Sequence, residues 1–183
     1  MSFKVSWKLH LECFFMDGVI CVLDGNNIFN LFVDLLLNNE IINFTENRSI
    51  DLVIFLIIIF IPVIFVHEFV HEFIYGVFYK LFGGQIKFGL KGIYDYVEET
   101  SEIALQRTKF LIILLAPVII ISLISMFIQN IIGECILLLN LLGSTGDILM
   151  ALYLCKYDSN SYIVDKSYGF DVINKENKNH TKR

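Results

Sequence analysis

Proline is nearly absent from this 183-residue chain, with 2 in all, and its 11 glycines form no tract. Collagen-like repeats, long Pro- or Gly-rich linkers and low-complexity arrays are excluded, and one compact unit is expected. Charge is scarce as well: 14 Lys and Arg stand against 19 Asp and Glu, for a net charge of −5. With a pI near 5.3, the chain lacks the clustered basic surface that nucleic-acid recognition needs, so no nucleic-acid partner is expected. Four cysteines (Cys13, Cys21, Cys135 and Cys155) make no CxxC pair, which argues against a disulfide framework and a Cys-based zinc site. What fills the chain instead is apolar: 56% hydrophobic side chains and a mean hydropathy of +0.66, above the make-up of an ordinary soluble domain. This composition predicts a membrane protein.

A helix needs about 20 mainly apolar residues to cross the hydrocarbon core. Three windows meet that length: Leu52–Tyr79, Phe110–Ile128 and about Ile131–Cys155. Pro62 and Pro117 fall inside two of them and are read as kinks. Ile28–Leu37, interrupted by Asn30 and Asp34, leaves room for a fourth span, a re-entrant piece or an interfacial helix. Met16-Asp17-Gly18-Val19 sits between apolar runs and signals a hairpin turn. Between the first two windows, GGQIKFGLKGIYDYVEE alternates apolar and polar residues and reads as a short strand or hairpin. The fold class expected is thus an all-α polytopic membrane protein with three transmembrane helices, a fourth left open, and one short β hairpin. Its segments are 1–50, of open topology; 51–156, a membrane-embedded core; and 157–183, a polar tail. Eleven of the 14 basic residues lie between Lys80 and Lys109 or beyond Cys155, so the positive-inside rule places loop 80–109 and the C-terminus in the cytoplasm.

The chemistry concentrates in the first window, at His67-Glu68-Phe69-Val70-His71. On a helix, positions i and i+4 share a face, so both imidazoles can reach one zinc ion while Glu68 activates a water. Ionisable groups within apolar helices are costly and call for a common explanation; here His67, Glu68, His71 and Glu72 fall within six residues. Histidines bonded to neighbouring helices, with Glu68 and Glu72 protonated or paired, are the bland alternative.

Zinc requires a third protein ligand and keeps a fourth position for water. No third His follows at the spacing of the extended metalloprotease pattern. Asp95, Glu98 and Glu99 lie in the polar hairpin, and Glu134 stands near the outer end of its window. Asp147 agrees better in depth: His71 precedes Lys80 by nine residues and Asp147 precedes Lys156 by nine, about 14 Å on parallel helices. Its setting, Asn140-Leu-Leu-Gly143-Ser-Thr-Gly146-Asp147, permits close helix approach or local unwinding. Asn140, two turns earlier on nearly the same face, is read as orienting Asp147 or holding substrate backbone, or else as bonding across helices within a packing motif in which Gly143, Ser144 and Gly146 form a small-residue contact. Tyr75, one turn after His71, is read as an interface aromatic or an oxyanion donor.

Taken in order, HEFVH, GGQIKFG, LLAPVII and GSTGDILM resemble a bacterial family of zincin membrane peptidases, formerly a domain of unknown function and related to the site-2 protease clan. The resemblance covers about residues 50–170. It implies His67, His71 and Asp147 as zinc ligands, Glu68 as catalytic base, and pairing of an extended substrate with the segment near Gly84–Leu90. The sequence departs from the family at Glu72, where a small residue is more usual.

The function expected is a zinc-dependent intramembrane or membrane-proximal endopeptidase that hydrolyses peptide bonds with a metal-activated water. Its cofactor would be Zn2+, its partners a membrane-protein or peptide substrate and the lipid bilayer, and its location the bacterial cell membrane as a multi-pass protein. A zinc-binding protein without proteolysis and a small ion- or proton-handling membrane protein are the competing expectations.

Overall fold

The computed structural model describes residues 2–37, 45, 47–55, 57, 61–91, 94–101, 103–129, 131–166 and 168–173. Among these, seven helices and six strands follow in the order β1 (Ser2–Lys4), α1 (Trp7–Leu23), α2 (Gly25–Leu37), α3 (Arg48–Phe55), α4 (Ile61–Leu81), β2 (Ile86–Lys91), β3 (Tyr94–Glu99), β4 (Leu105–Gln106), α5 (Arg107–Phe127), α6 (Ile131–Gly143), α7 (Thr145–Leu154), β5 (Tyr162–Lys166) and β6 (Gly169–Ile173).

The expected all-α architecture with three spans is overturned. A four-stranded sheet of order β1-β6-β5-β4 stands beside the helices, and all its pairings are antiparallel. Among the described residues, only Arg107–Phe127 is by itself long and apolar enough to cross a membrane. In the first window, residues 52–55 belong to α3 and 61–79 to α4, and α4 carries Glu68, Glu72 and Lys80 within its apolar length. The third window breaks into α6 and α7, bent by 46°. The cause is local: Gly143-Ser144-Thr145-Gly146 combines two poor helix formers with two hydroxyl residues that compete for backbone partners. Pro62 falls in the first turn of α4, where its missing N–H costs nothing, whereas Pro117 lies inside α5. The turn expected at Asp17-Gly18 does not form; both residues lie within α1. Seventeen consecutive residues of helix outweigh a two-residue turn signal here.

β2 and β3 form the hairpin toward which the alternation after Gly84 points, in register from Ile86–Glu99 to Lys91–Tyr94. The larger sheet joins distant parts of the chain. Ser2 stands opposite Asp171, and Leu105, just before α5, stands opposite Ile163. Gly169, at φ +133°, lets β1 approach closely, since a Cβ there would meet the Phe3 carbonyl oxygen at 2.3 Å.

The core lies where this sheet meets α4, α5 and α7. Tyr79, Leu105, Phe110, Ile113, Leu114, Leu154, Ile163, Phe170 and Val172 form one buried cluster. Phe3 stacks on Phe170 with ring centroids 4.8 Å apart, and Phe110 meets Phe170 edge-on at 5.9 Å. Each large apolar side chain so removed from water contributes about 1.5–3 kcal/mol. Arg107 ties the lower ends together by donating to the carbonyls of Cys155 and Tyr157 just beyond α7. The ends of α4, α5 and α7 nearest the sheet are thereby fixed relative to one another, and the polar residues of α4 are carried at a set height above them.

Candidate metal centre

α4 presents His67, His71, Tyr75 and Tyr79 as a single i+4 row directed into the protein. Each member of this row has a defined contact. His67 is buried, and its Nε2 lies 3.0 Å from Asn140 Oδ1 on α6. His71 Nε2 lies 3.2 Å from Asp147 Oδ2 and 3.4 Å from the Ser144 hydroxyl. Tyr75 donates its hydroxyl to Asp165 Oδ2 on β5 at 3.0 Å, and Tyr79 is fully buried in the core cluster.

The break between α6 and α7 positions the second half of the site. Because α6 ends at Gly143, Asp147 falls in the first turn of α7. Main-chain N–H groups and the positive end of the helix dipole favour a carboxylate at that position. Ser144 and Asn140, each fully buried, flank the break, with the Ser144 N–H donating to the Asn140 carbonyl at 3.0 Å. α6 passes near α4 at Gly143. A Cβ there would stand 3.5 Å from His67 Cε1 and 4.0 Å from Glu68 Oε1, in ordinary contact.

Glu68 differs from its neighbours. Its side chain is 59% exposed, and Oε1 is 3.9 Å from His67 Nδ1, beyond hydrogen-bond reach. It therefore borders the imidazoles yet stays open to an incoming molecule. Asn140 contacts His67, the Val118 carbonyl and the Ser122 hydroxyl. Asp95, Glu98 and Glu99, weighed as other acids, belong to β3, and Glu134 stands exposed in the first turn of α6.

Among the described residues, no group of three His, Cys, Asp or Glu converges as a ready metal cage. The donor chemistry nevertheless fits zinc. Two imidazoles one turn apart and a carboxylate are zinc ligands by type. In tetrahedral geometry, bonds of about 2.0–2.1 Å put neighbouring ligand atoms about 3.3 Å apart; His71 Nε2 and Asp147 Oδ2 stand at 3.2 Å. That separation is equally one of a direct hydrogen bond, and the His67 ring lies one turn away, its centroid 5.9 Å from that of His71.

Sequence reasoning did not find Ser122, one of two serines in the apolar stretch of α5, or the separate contact of Ser144 with His71. For Ser122 the available signal was a polar side chain in an otherwise apolar run, whereas Ser144, within Gly143-Ser144-Thr145-Gly146, offered no such contrast.

Residues 60–162, more than half of the chain, match the family model described as "Putative zincin peptidase". No curated protein and no solved structure matches. The matched stretch runs from just before α4 to the first residue of β5 and contains His67, Glu68, His71, Asn140, Ser144 and Asp147, but not Asp165. The chain belongs to the family described as "Putative zincin peptidase", a description that points to a zinc metallopeptidase.

Proposed function

We propose that this protein is a zinc-dependent endopeptidase acting beside or within a membrane, with His67, His71 and Asp147 as metal ligands and Glu68 as general base. The observation that carries this reading is the meeting of His71 and Asp147. Seventy-six positions apart in sequence, they come to 3.2 Å, one turn from a second imidazole and beside an open carboxylate.

Bound zinc would supply Lewis-acid polarisation of the scissile carbonyl and would acidify water. The chain's own groups do the rest. Glu68, exposed at the mouth of the site, accepts the proton of the attacking water and returns it to the leaving amine nitrogen. Asp147, at the start of α7, holds negative charge opposite the His71 imidazole. Asn140 and Ser144 exclude water behind the two histidines, since both are fully buried. An extended peptide is the form of substrate such a site accepts, because a peptide bond inside a regular helix is shielded. The substrate class is a peptide or a membrane protein.

The setting at a membrane rests on surface chemistry. Phe65, Phe69, Phe73 and Val77 project from the outer side of α4, and Trp7, Phe14, Phe15, Val22 and Leu23 stand exposed on α1. Apolar surface on this scale marks contact with lipid or with another protein.

Glu68→Gln tests the assignment. Hydrolysis of an unstructured peptide is expected to fall about 10²–10⁴-fold, with zinc content unchanged. Full proteolysis in that variant would remove Glu68 from the mechanism.

A further inference from the structure

We infer that the end of the molecule where the helices meet the sheet is a lysine collar that seats on anionic phospholipid headgroups, with the apolar stripes of α1 and α4 running from it into the hydrocarbon. The inference deepens the membrane setting proposed above and rests on it, but not on the metal.

Charge is sorted along the helices. α1 starts just after β1 and α5 just after β4, while Tyr79 of α4 and Leu154 of α7 join the cluster that holds Ile163, Phe170 and Val172 of the sheet. Each of these four helices therefore has one end at the sheet. Their only basic residues are Lys8 in the first turn of α1, Lys80 in the last turn of α4, and Arg107 and Lys109 in the first turn of α5. Lys4 on β1 and Lys156, two residues past α7, lie at the same end. Lys4, Lys8, Lys80, Lys109 and Lys156 are all exposed, whereas Arg107 is occupied by the carbonyls of Cys155 and Tyr157.

Three of the lysines are held over rings of one aromatic group. Lys4 Nζ lies 5.5 Å from the centre of Tyr168, Lys109 Nζ 5.5 Å from Phe82 and Lys156 Nζ 5.3 Å from Tyr153. Phe170 is their common neighbour: Phe3, beside Lys4, stacks on it at 4.8 Å, Phe110, beside Lys109, meets it at 5.9 Å, and Tyr153 at 6.4 Å. A ring beneath a lysine covers its methylenes and leaves the ammonium group facing outward. Basic and aromatic residues gathered at one level are what a membrane–water boundary selects. Nearby carboxylates already meet partners: Asp165 accepts from Tyr75, Asp171 from Tyr168 and Asp158 from the Asn160 N–H, while Glu12 lies 3.8 Å from Lys8. The collar thus turns positive charge outward, complementary to anionic lipid.

The apolar surface begins where the collar ends. Trp7, Leu11, Phe14, Phe15, Gly18 and Val22 of α1 fall within a sector of about 100° and span about 22 Å. All are exposed, Trp7 by 80% and Val22 by 81%, and none is charged. The other side of α1 is packed as well: Leu9 is buried, and Cys13 shares a side-chain hydrogen bond with Thr145 at the start of α7. Phe3 meets Tyr153 near the end of α7 at 4.6 Å, so α1 runs antiparallel to α7 and away from the sheet. A helix apolar on both sides belongs in apolar surroundings. The outer row of α4, Phe65, Phe69, Phe73 and Val77, likewise leads to Lys80. α1 packs on α7 and α4 on α5, so the two rows stand on different helix pairs. Lipid covers both at once, whereas a single protein partner would have to wrap around the molecule.

Trp7 is the only tryptophan of the chain, so its fluorescence reads the collar directly. The whole chain, with its zinc content measured, is reconstituted in mixed vesicles of phosphatidylcholine and phosphatidylglycerol. Bromine is placed on one lipid or the other, near the headgroup or near the chain end. Brominated phosphatidylglycerol is expected to quench Trp7 more than brominated phosphatidylcholine, and bromine near the headgroup more than bromine at the chain end. A lysine near an anionic surface raises the binding constant about five-fold. Lys4→Gln combined with Lys8→Gln is therefore expected to lower the preference for phosphatidylglycerol about five-fold or more, and Lys4→Arg with Lys8→Arg to keep it. Val22→Trp in a Trp7→Phe chain is expected to reverse the order of depth. A preference unmoved in the double Gln variant, or one depth for tryptophan at positions 7 and 22, overturns the inference. Equal quenching by the two lipids removes the collar and keeps the membrane setting. No quenching by either removes both, and the zinc centre is then judged by metal content alone.

Discussion

Two rows of one helix divide the molecule's chemistry. His67, His71, Tyr75 and Tyr79 form the inward row of α4, and each is held by a partner on another element or by the core. Phe65, Phe69, Phe73 and Val77, about 200° away around the same helix, are 51%, 57%, 51% and 37% exposed. In a helix at a water-facing surface the apolar stripe turns inward and the polar one outward. Here the order is reversed. Polar groups can be kept inside only where each finds a partner, because an unpaired buried polar group costs more than a hydrogen bond gains. The outward row has no such requirement, and its exposed apolar side chains are what the proposed membrane setting rests on.

The strongest way to break this contrast is to substitute each row and follow the metal. His71→Ala or Asp147→Ala is expected to abolish stoichiometric zinc binding and hydrolysis together, while Phe69→Ala and Phe73→Ala leave zinc content unchanged. Equal loss from both rows, measured by metal analysis of folded protein, would mean that the zinc reading of the inward row is wrong. Gly143 offers a finer cut. Gly143→Ala adds a methyl at ordinary contact distance from His67 and is expected to be tolerated. Gly143→Leu pushes on the same ring, and a displacement of about 1 Å in a catalytic group can cost on the order of 10²-fold in rate. Steady-state kinetics of the two variants would show whether the space between α6 and α4 matters for turnover.

The same contrast explains what could be read in the sequence. The HExxH spacing and the pairing of His71 with Asp147 were legible, because the period of a helix and the expense of a buried acid are properties of the residues themselves. The helical nature of α4, α5, α6 and α7 was legible for a similar reason. The sheet was not. β1 is three residues long and pairs with β6 nearly the whole chain away, so no local pattern announces it. The number of spans was overread, because apolar length does not distinguish a helix packed against a sheet and other helices from one that crosses a bilayer. Asn140 was legible in part: of its readings, bonding across helices matches its contacts to α4 and α5, whereas the two-turn spacing that suggested a role in orienting Asp147 pointed along its own helix.

Two changes at the lower end of the inward row sharpen the comparison with stability as the readout. Gly84→Ala would drive a Cβ to 2.2 Å from the Tyr79 ring, which is fully buried and cannot swing aside. Overpacking of this kind costs about 1–3 kcal/mol, to be measured as a lower denaturant midpoint. Tyr75→Phe removes the hydroxyl that reaches Asp165 at 3.0 Å and is expected to cost about 1 kcal/mol. A neutral result at Tyr75 would mean that the link between helix and sheet is carried by packing alone.

The smallest effect belongs to a polar group beyond α4 that is tied only within the sheet and its turn. Asp171, opposite Ser2 in β6, accepts from the Tyr168 hydroxyl at 2.7 Å. The Ser2 hydroxyl, followed by that of Tyr168, holds its carboxyl below the usual carboxylate value. A folded-state pKa below the unfolded one means that the ionised form favours folding. The contribution is fully present above the ordinary carboxylate pKa and is lost as pH falls through the lower folded value. Melting curves of the wild type and Asp171→Asn should therefore differ by a constant small amount at neutral pH and converge on acidification. A gap that persisted into strong acid would assign the effect to shape and hydrogen bonding at the β1–β6 seam instead of to charge. The inward row would then no longer be distinguished from the sheet by how its polar groups are held.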